Sequence, residues 1–331
     1  MKLVIQIPCF NEAGTLATAL AELPRHVPGF DTVEWLVIDD GSSDATTSVA
    51  KANGVDHVVR HQCNMGLARA FMTGLEACLD LGADVIVNTD ADNQYCAADI
   101  PLLVRPLLEG TADMVIGARP IGDIGEFSPA KKALQVLGSC VVRVASRTNV
   151  PDAPSGFRAL SRNAAQHMMV FGEYTYTLET IIQSGLHGMA VMSVPVRVNG
   201  FLRPSRLVRS IPSYIRRSIV TITRIFIIYR PFRSFAAVSL ALLLASLLIG
   251  VRFLFYYWKG DGSGHVQSLI LAGALLTMSF QSLLIAFVAD LLAANRKLLE
   301  DIRFRQRTDH AMQQGEFKSA AKFTIPPRPP D

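Results

Sequence analysis

The chain is 331 residues long, half of it hydrophobic and only 18% charged, with a mean hydropathy of +0.29. This excludes a disordered chain, which needs low hydrophobicity and high net charge, and it is too apolar for a wholly soluble protein, in which about a quarter of residues are charged. The net charge of +4 averages two unlike halves: residues 1–179 carry 13 Lys/Arg against 21 Asp/Glu, a net −8, and residues 180–331 carry 19 against 7, a net +12.

Over residues 1–117, short apolar runs alternate with helical patterns. Strands are predicted at Leu3–Ile7, Trp35–Ile38, His57–Arg60, Asp84–Asn88 and Met114–Ile116, and helices at Glu12–Leu23, Asp44–Ala52, Gly66–Asp80 and Ile100–Leu108. Continuous apolar strands separated by helices predict an α/β fold with a mostly parallel sheet covered on both faces. Such sheets bind ligands at the carboxyl ends of their strands. The residues that follow the strands are polar there: Pro8-Cys9-Phe10-Asn11-Glu12, Asp39-Asp40-Gly41-Ser42-Ser43-Asp44, Asn64-Met65-Gly66 and Asp90-Ala91-Asp92-Asn93-Gln94. Neither G-x-G-x-x-G nor G-x-x-x-x-G-K-[ST] occurs, which excludes the ordinary dinucleotide and P-loop readings. Five cysteines (Cys9, Cys63, Cys78, Cys96, Cys140) form no C-x-x-C pair and read as small core residues of a reducing compartment.

The rear half concentrates the apolar excess. Ser234–Val251 is uncharged and continues, past Arg252, to Trp258; Val266–Ala289 is a second uncharged run. Each approaches the roughly 20 residues that cross a bilayer as a helix. The expected spans are residues 234–258 and 266–292, joined by a glycine-rich turn. Arg209, Arg216, Arg217, Arg224, Arg230 and Arg233 precede the first, and Arg296, Lys297, Arg303, Arg305 and Arg307 follow the second, so both termini are expected on the cytoplasmic side of an integral membrane protein. Phe255–Trp258 would form an interfacial aromatic belt. Residues 207–231 alternate basic and apolar character, which predicts amphipathic interfacial helices. The tail, 296–331, ends in PPRPP and is expected to be partly disordered. Basic residues that flank spans are explained by topology, and not by a nucleic-acid partner.

Asp90 and Asp92, with Gln94 two residues further on, offer oxygen ligands of the kind a hard divalent cation takes together with substrate phosphates. Asp39 and Asp40 are expected to point apart, because ionised neighbours repel, with Asp40 accepting a hydrogen bond from a base N–H. Asp44 is expected to cap the helix that follows it.

In this order and spacing, I-P-C-F-N-E, V-I-D-D-G-S-S-D-A-T, N-x-G-L-A-R-A and D-A-D-N-Q resemble family 2 glycosyltransferases of the GT-A fold. Gly117-Ala118-Arg119 and Pro154-Ser155-Gly156-Phe157-Arg158 narrow the resemblance to polyprenyl-phosphate glycosyltransferases, the group that includes dolichyl-phosphate mannosyltransferase. It covers roughly residues 1–230. It implies a GT-A domain over residues 1–206 that transfers one sugar from a UDP- or GDP-sugar to undecaprenyl or dolichyl phosphate, with inversion at the anomeric centre. Pro8, Phe10, Glu12 and Asp40 would hold the nucleoside, and Asp90, Asp92 and Gln94 would hold Mg²⁺ or Mn²⁺. Arg119 would meet a phosphate and Asp152 would stand near the reacting centre, so that Asp92, Arg119 and Asp152 form the catalytic set. Lys131, Lys132, Ser155, Arg158, Glu179, Arg203 and Arg206 would serve the acceptor and its phosphate; Pro204 and Arg206 depart from the commoner R-x-G-x-S-K-L. A homo-oligomer is a reasonable assembly by the same resemblance. The processive synthases carry Q-x-x-R-W, which is absent here because neither Trp35 nor Trp258 follows an arginine. A membrane scaffold derived from such an enzyme without catalysis is the reading from another class.

Overall fold

The structure is a computed structural model that describes residues 1–120, 138–140, 142–143, 146, 148–170, 176–200, 224, 227, 231–260 and 266–322. By internal contacts the chain divides into two compact units, Met1–Ile215 with Glu300–Asp331, and Arg216–Leu299.

The first unit is built on a seven-stranded sheet. Its strands are β1 (Lys2–Cys9), β2 (Thr32–Asp39), β3 (His57–Arg60), β4 (Val85–Asn88), β5 (Met114–Ala118), β6 (Arg158–Ser161) and β7 (Val191–Pro195), in the order β3-β2-β1-β4-β6-β5-β7. The helices are α1 (Leu16–Glu22), α2 (Thr46–Ala52), α3 (Leu67–Asp80), α4 (Ile100–Leu108), α5 (Arg162–His167) and α6 (Thr177–Leu186). β1 runs parallel to β2 and to β4, with Cys9 opposite Asp39 and Gln6 opposite Asn88, so three strand ends lie side by side at one rim. Leu3, Ile5 and Ile7 pack with Leu16 and Leu20 of α1, Ala50 of α2 and Leu103 of α4 on one face. On the other, α3 comes close enough that a Cβ on Gly74 would stand 2.8 Å from the Ile38 Cδ1. Burial of each such Leu or Ile contributes about 1.5–3 kcal/mol, which is what holds helices to both faces.

The helix starts differ from those read off the sequence. Glu12 lies ahead of α1, its carbonyl accepting from the Thr15 and Leu16 N–H groups at 3.1 and 2.9 Å, one turn before the helix proper begins at Leu16. Gly66, at φ 92°, is the cap before α3. The cap of α2 is Ala45, and Asp44 stands one residue earlier, accepting from the Thr46 N–H at 3.0 Å and the Ala13 N–H at 3.1 Å. Two strands were not expected. β6 is four residues long, opens with a charged Arg158, and inserts antiparallel between β4 and β5. β7 pairs parallel to β5 at the sheet edge. Cys9 and Cys78 are buried, whereas Cys63 and Cys140 are exposed, against the expectation of core positions throughout.

The second unit contains α7 (Pro231–Trp258) and most of α8 (Val266–Lys322). Pro231–Trp258 and Val266–Arg296 are long and apolar enough to cross a membrane, and only 11% and 22% of their most apolar windows are buried, unlike the core helices of a soluble fold. Ser239 and Ser279 exchange hydroxyl-to-carbonyl bonds of 2.8 Å across the pair, and Ser246 donates to the Ala272 carbonyl at 2.7 Å. α8 runs on to Lys322, well into the expected disordered tail, because no proline interrupts it before Pro326. Of the expected interfacial stretch 207–231 only Arg224, Ile227 and Pro231 are among the described residues.

Candidate active site

The strand-end loops are stitched into one rim. The Asn11 side chain accepts from the Ser43 N–H at 2.9 Å, its N–H donates to Ser42 Oγ at 2.9 Å, and the Glu12 N–H donates to Thr46 Oγ1 at 2.9 Å. Glu12 is buried, with Oε2 accepting from Thr15 Oγ1 at 2.9 Å. Pro8 is buried within β1 opposite Ile38, and Phe10 is 40% exposed at the loop.

Asp39 and Asp40 do point apart. Asp39 accepts from the Ser42 N–H at 2.8 Å, from Thr47 Oγ1, and faces Arg60 at 3.4 Å. Burial pushes its carboxyl up, but the Ser42 and Thr47 hydrogen bonds and the Arg60 charge outweigh this and hold it below the usual range. Asp40 turns to the β3–α3 loop: Oδ1 accepts from the Met65 N–H at 2.9 Å and His61 Nδ1 at 2.7 Å, and Oδ2 from the Gly66 N–H at 2.9 Å. His61 was not singled out from the sequence, although it directly follows a strand end, where the informative residues collect.

Past β4, Asp90 and Asp92 flank Ala91 in a turn that Asn93 completes at a positive φ of 57°. The Gln94 N–H donates to Asp92 Oδ1 at 3.2 Å. Burial first, and then the negative charge of Asp92, push the Asp90 carboxyl up to about 7. Gly156 backs this carboxylate: a Cβ there would stand 2.8 Å from both Asp90 oxygens. Its backbone is pinned from both sides, its N–H donating to Tyr95 Oη at 2.9 Å and its carbonyl accepting from Asn88 Nδ2 at 2.9 Å. The donor set fits a hard cation. Two carboxylates and a carboxamide lie within the five residues Asp90–Gln94, although among the described residues no group of three His, Cys, Asp or Glu forms a self-sufficient cage. Mg²⁺ is ordinarily held in this way, with substrate phosphates completing the shell.

Arg119, just beyond β5, and Asp152 form a bidentate pair, Nε–Oδ2 at 2.7 Å and Nη2–Oδ1 at 2.9 Å, with the Arg119 N–H also on Oδ2 at 3.2 Å. Burial works against the Arg119 charge, but Tyr95, Asp152 and Asp90 outweigh it and raise its pKa. Of the five N–H groups of its guanidinium, two are engaged by Asp152. Ser155 and Arg158 are completely buried. Arg158 Nη1 holds the Thr177 carbonyl at 3.2 Å and Thr180 Oγ1 at 2.6 Å, and Nη2 holds the Ser155 carbonyl, so this arginine braces α6 beneath the rim. Burial lowers its pKa. Glu179 is buried in the first turn of α6. Lys131, Lys132, Arg203 and Arg206 lie outside the described residues.

Comparison with known proteins agrees with this fold. Glycosyl transferase family 2 matches residues 4–169. An uncharacterized protein of Methanocaldococcus jannaschii is 32% identical over 202 residues, 59% of this chain and 81% of that one. The undecaprenyl-phosphate mannosyltransferase of Micrococcus luteus is 28% identical over 59% of this chain and 83% of its own. The UDP-N-acetylglucosamine–dolichyl-phosphate N-acetylglucosaminyltransferase of Methanococcus voltae is 27% identical over 58% and 83%. Among solved structures, glucosyl-3-phosphoglycerate synthase from Mycobacterium tuberculosis with Mn²⁺, UDP and phosphoglyceric acid superposes with a TM-score of 0.51 at 21% identity, over 67% of this chain and 78% of that one, a likeness of fold. With half of its length matched and the strand-end motifs on one rim of a GT-A sheet, the chain belongs to glycosyl transferase family 2 and is a glycosyltransferase.

Proposed function

We propose that the protein transfers a single sugar from a nucleotide-sugar to a polyprenyl phosphate at the cytoplasmic face of a membrane, with inversion and with a divalent cation. The observation that carries the reaction is the rim itself: Asp40, the Asp90–Asp92 turn and the Arg119–Asp152 pair, which follow the parallel strands β2, β4 and β5 of one sheet. The names of the Micrococcus and Methanococcus relatives support the acceptor class, and two helices long and apolar enough to span a membrane support a lipid acceptor. Lys/Arg on both flanks of the helices support the cytoplasmic orientation.

Asp90, Asp92 and Gln94 would hold Mg²⁺ or Mn²⁺, which supplies neutralisation of a diphosphate leaving group when bound. The acceptor phosphate has a second pKa near 6 and is anionic at neutral pH, so no strong base is required. Asp152 accordingly acts as an orienting group: three N–H donors engage its oxygens, and it aims the remaining Arg119 N–H groups towards phosphate. Holding two anionic substrates in line is then the main task of the protein.

The test is incubation of detergent-purified protein with radiolabelled UDP- and GDP-sugars, undecaprenyl phosphate and Mg²⁺. Labelled lipid that disappears with a chelator, and with Asp92→Ala, is expected. No label from any donor, with biological activity intact in Asp92→Ala, would favour a scaffold without catalysis.

A further inference from the structure

The Asp40 carboxylate is nearly saturated before any ligand arrives. Each carboxylate oxygen has two lone pairs. Oδ1 accepts from the Met65 N–H at 2.9 Å and from His61 Nδ1 at 2.7 Å, so both of its lone pairs are used; among the described residues Oδ2 accepts only from the Gly66 N–H, at 2.9 Å. The proton between His61 and Asp40 sits on Nδ1, because Oδ1 already takes the Met65 N–H and two lone pairs do not face each other at 2.7 Å. Thr73 Oγ1, at 3.1 Å from Nε2, holds the ring from its far side. The His61 side chain is 9% exposed and that of Asp40 4%, so water does not easily substitute for either.

We propose that His61 sets the base preference of the nucleotide site by occupying the second lone pair of Asp40 Oδ1, so that the carboxylate accepts a single base N–H and uracil is favoured over guanine. This rests on the reading of Asp40 as the residue that meets the base. Uracil offers one imide N–H, which the remaining lone pair of Oδ2 satisfies. Guanine offers adjacent N1–H and N2–H donors, which match a carboxylate with one open lone pair on each oxygen. With Oδ1 filled, one guanine donor is left desolvated and unpaired, and a buried unpaired donor is what makes a polar site reject the wrong ligand. His61 is a positioning residue: it acts on the base through Asp40.

The test is calorimetric titration of the full-length protein in detergent with UDP and GDP in the presence of Mn²⁺. UDP is expected to bind at least about tenfold more tightly than GDP. His61→Leu, which removes the donor and keeps an apolar ring-sized filler, narrows that ratio severalfold by opening Oδ1. His61→Asn, whose amide nitrogen stands near the position of Nδ1, restores it. A purely structural histidine would lower both affinities alike and leave the ratio unchanged. GDP binding as tightly as UDP to the unaltered protein overturns the proposal without any variant, as does an unchanged ratio in a folded His61→Leu. Asp40→Asn separates the two levels. If it leaves both affinities untouched, Asp40 does not meet the base and the underlying reading fails. If it weakens them while His61→Leu leaves the ratio alone, only the lone-pair argument fails.

Discussion

Gly156 has no side chain because the Asp90 carboxylate stands where one would go. A Cβ 2.8 Å from both oxygens forces the carboxylate to shift, while the backbone stays pinned by Tyr95 and Asn88. Gly156→Ala is therefore expected to fold with little loss of stability and to lose about a hundredfold in turnover, the scale of an ångström-sized misplacement, with a raised Mn²⁺ requirement in steady-state assays. Asp90 itself carries a pH signature. Its carboxyl, moved from the ordinary 3.8 up to about 7 by burial and by Asp92, stays protonated in the cation-free folded protein where the unfolded chain has released its proton. Between these values the folded state binds more protons, so this group's contribution to stability falls as pH rises through that window. A cation needs the carboxylate and reverses the preference. Calorimetry of Mn²⁺ binding with UDP at about pH 6, in two buffers of different ionisation heat, is expected to show proton release, which fades above the carboxyl's folded value near 7.

At the scale of elements, β6 holds the site together and is the strand that pattern alone did not reveal. It lies between β4 and β5, pairing Arg158 with both Asn88 and Ile116. Asn88, completely buried, accepts from Gln6 Nε2 at 2.9 Å and donates to the Gly156 carbonyl and Tyr176 Oη, also at 2.9 Å. Asn88→Ala leaves buried partners unsatisfied, each worth about 1–3 kcal/mol, and is expected to lower the unfolding free energy of the catalytic unit, read from chemical denaturation, by at least that much. The helix pair predicts a smaller effect. Ser239 and Ser279 each bond the other's carbonyl, yet such bonds in membranes average only about 0.6 kcal/mol, so the double alanine variant is expected to weaken helix association in detergent by about 1 kcal/mol. A loss of several kcal/mol would mean that the serines do more than hold the pair. The start of α3 was misplaced by one residue at Gly66, since hydrophobic period does not register the sign of φ.

At the scale of the whole molecule, the acidic and the basic halves answer to different surroundings. The front carries its aspartates on a rim whose charge is met by Arg60, Arg119 and backbone N–H groups. The rear exposes Leu248, Ile270, Phe280 and Leu291, each more than 60% accessible, on helices with little covering them. Exposed apolar area of that extent calls for lipid. The protein is therefore expected to remain in the pellet when membranes are washed with alkaline carbonate or high salt, and to be released by detergent. Release by salt alone would indicate attachment through the basic stretches rather than spans.

The amino-acid sequence by itself determined the order of strands and helices over residues 1–117, the rim on which the polar motifs fall, and the two apolar helices, because periodicity, strand-end position and the length of an apolar run are local properties. The tertiary structure decided what lies far apart in the chain and close in space: the antiparallel strand of residues 158–161 between β4 and β5, the pairing of Arg119 with Asp152, the glycine behind Asp90, and the histidine that fills Asp40. It also showed Arg158, expected to help shape the acceptor pocket, to be buried and hydrogen-bonded to α6. A hydrogen bond depends on where two chain segments meet, and that is set by the packing of the whole sheet rather than by either segment alone.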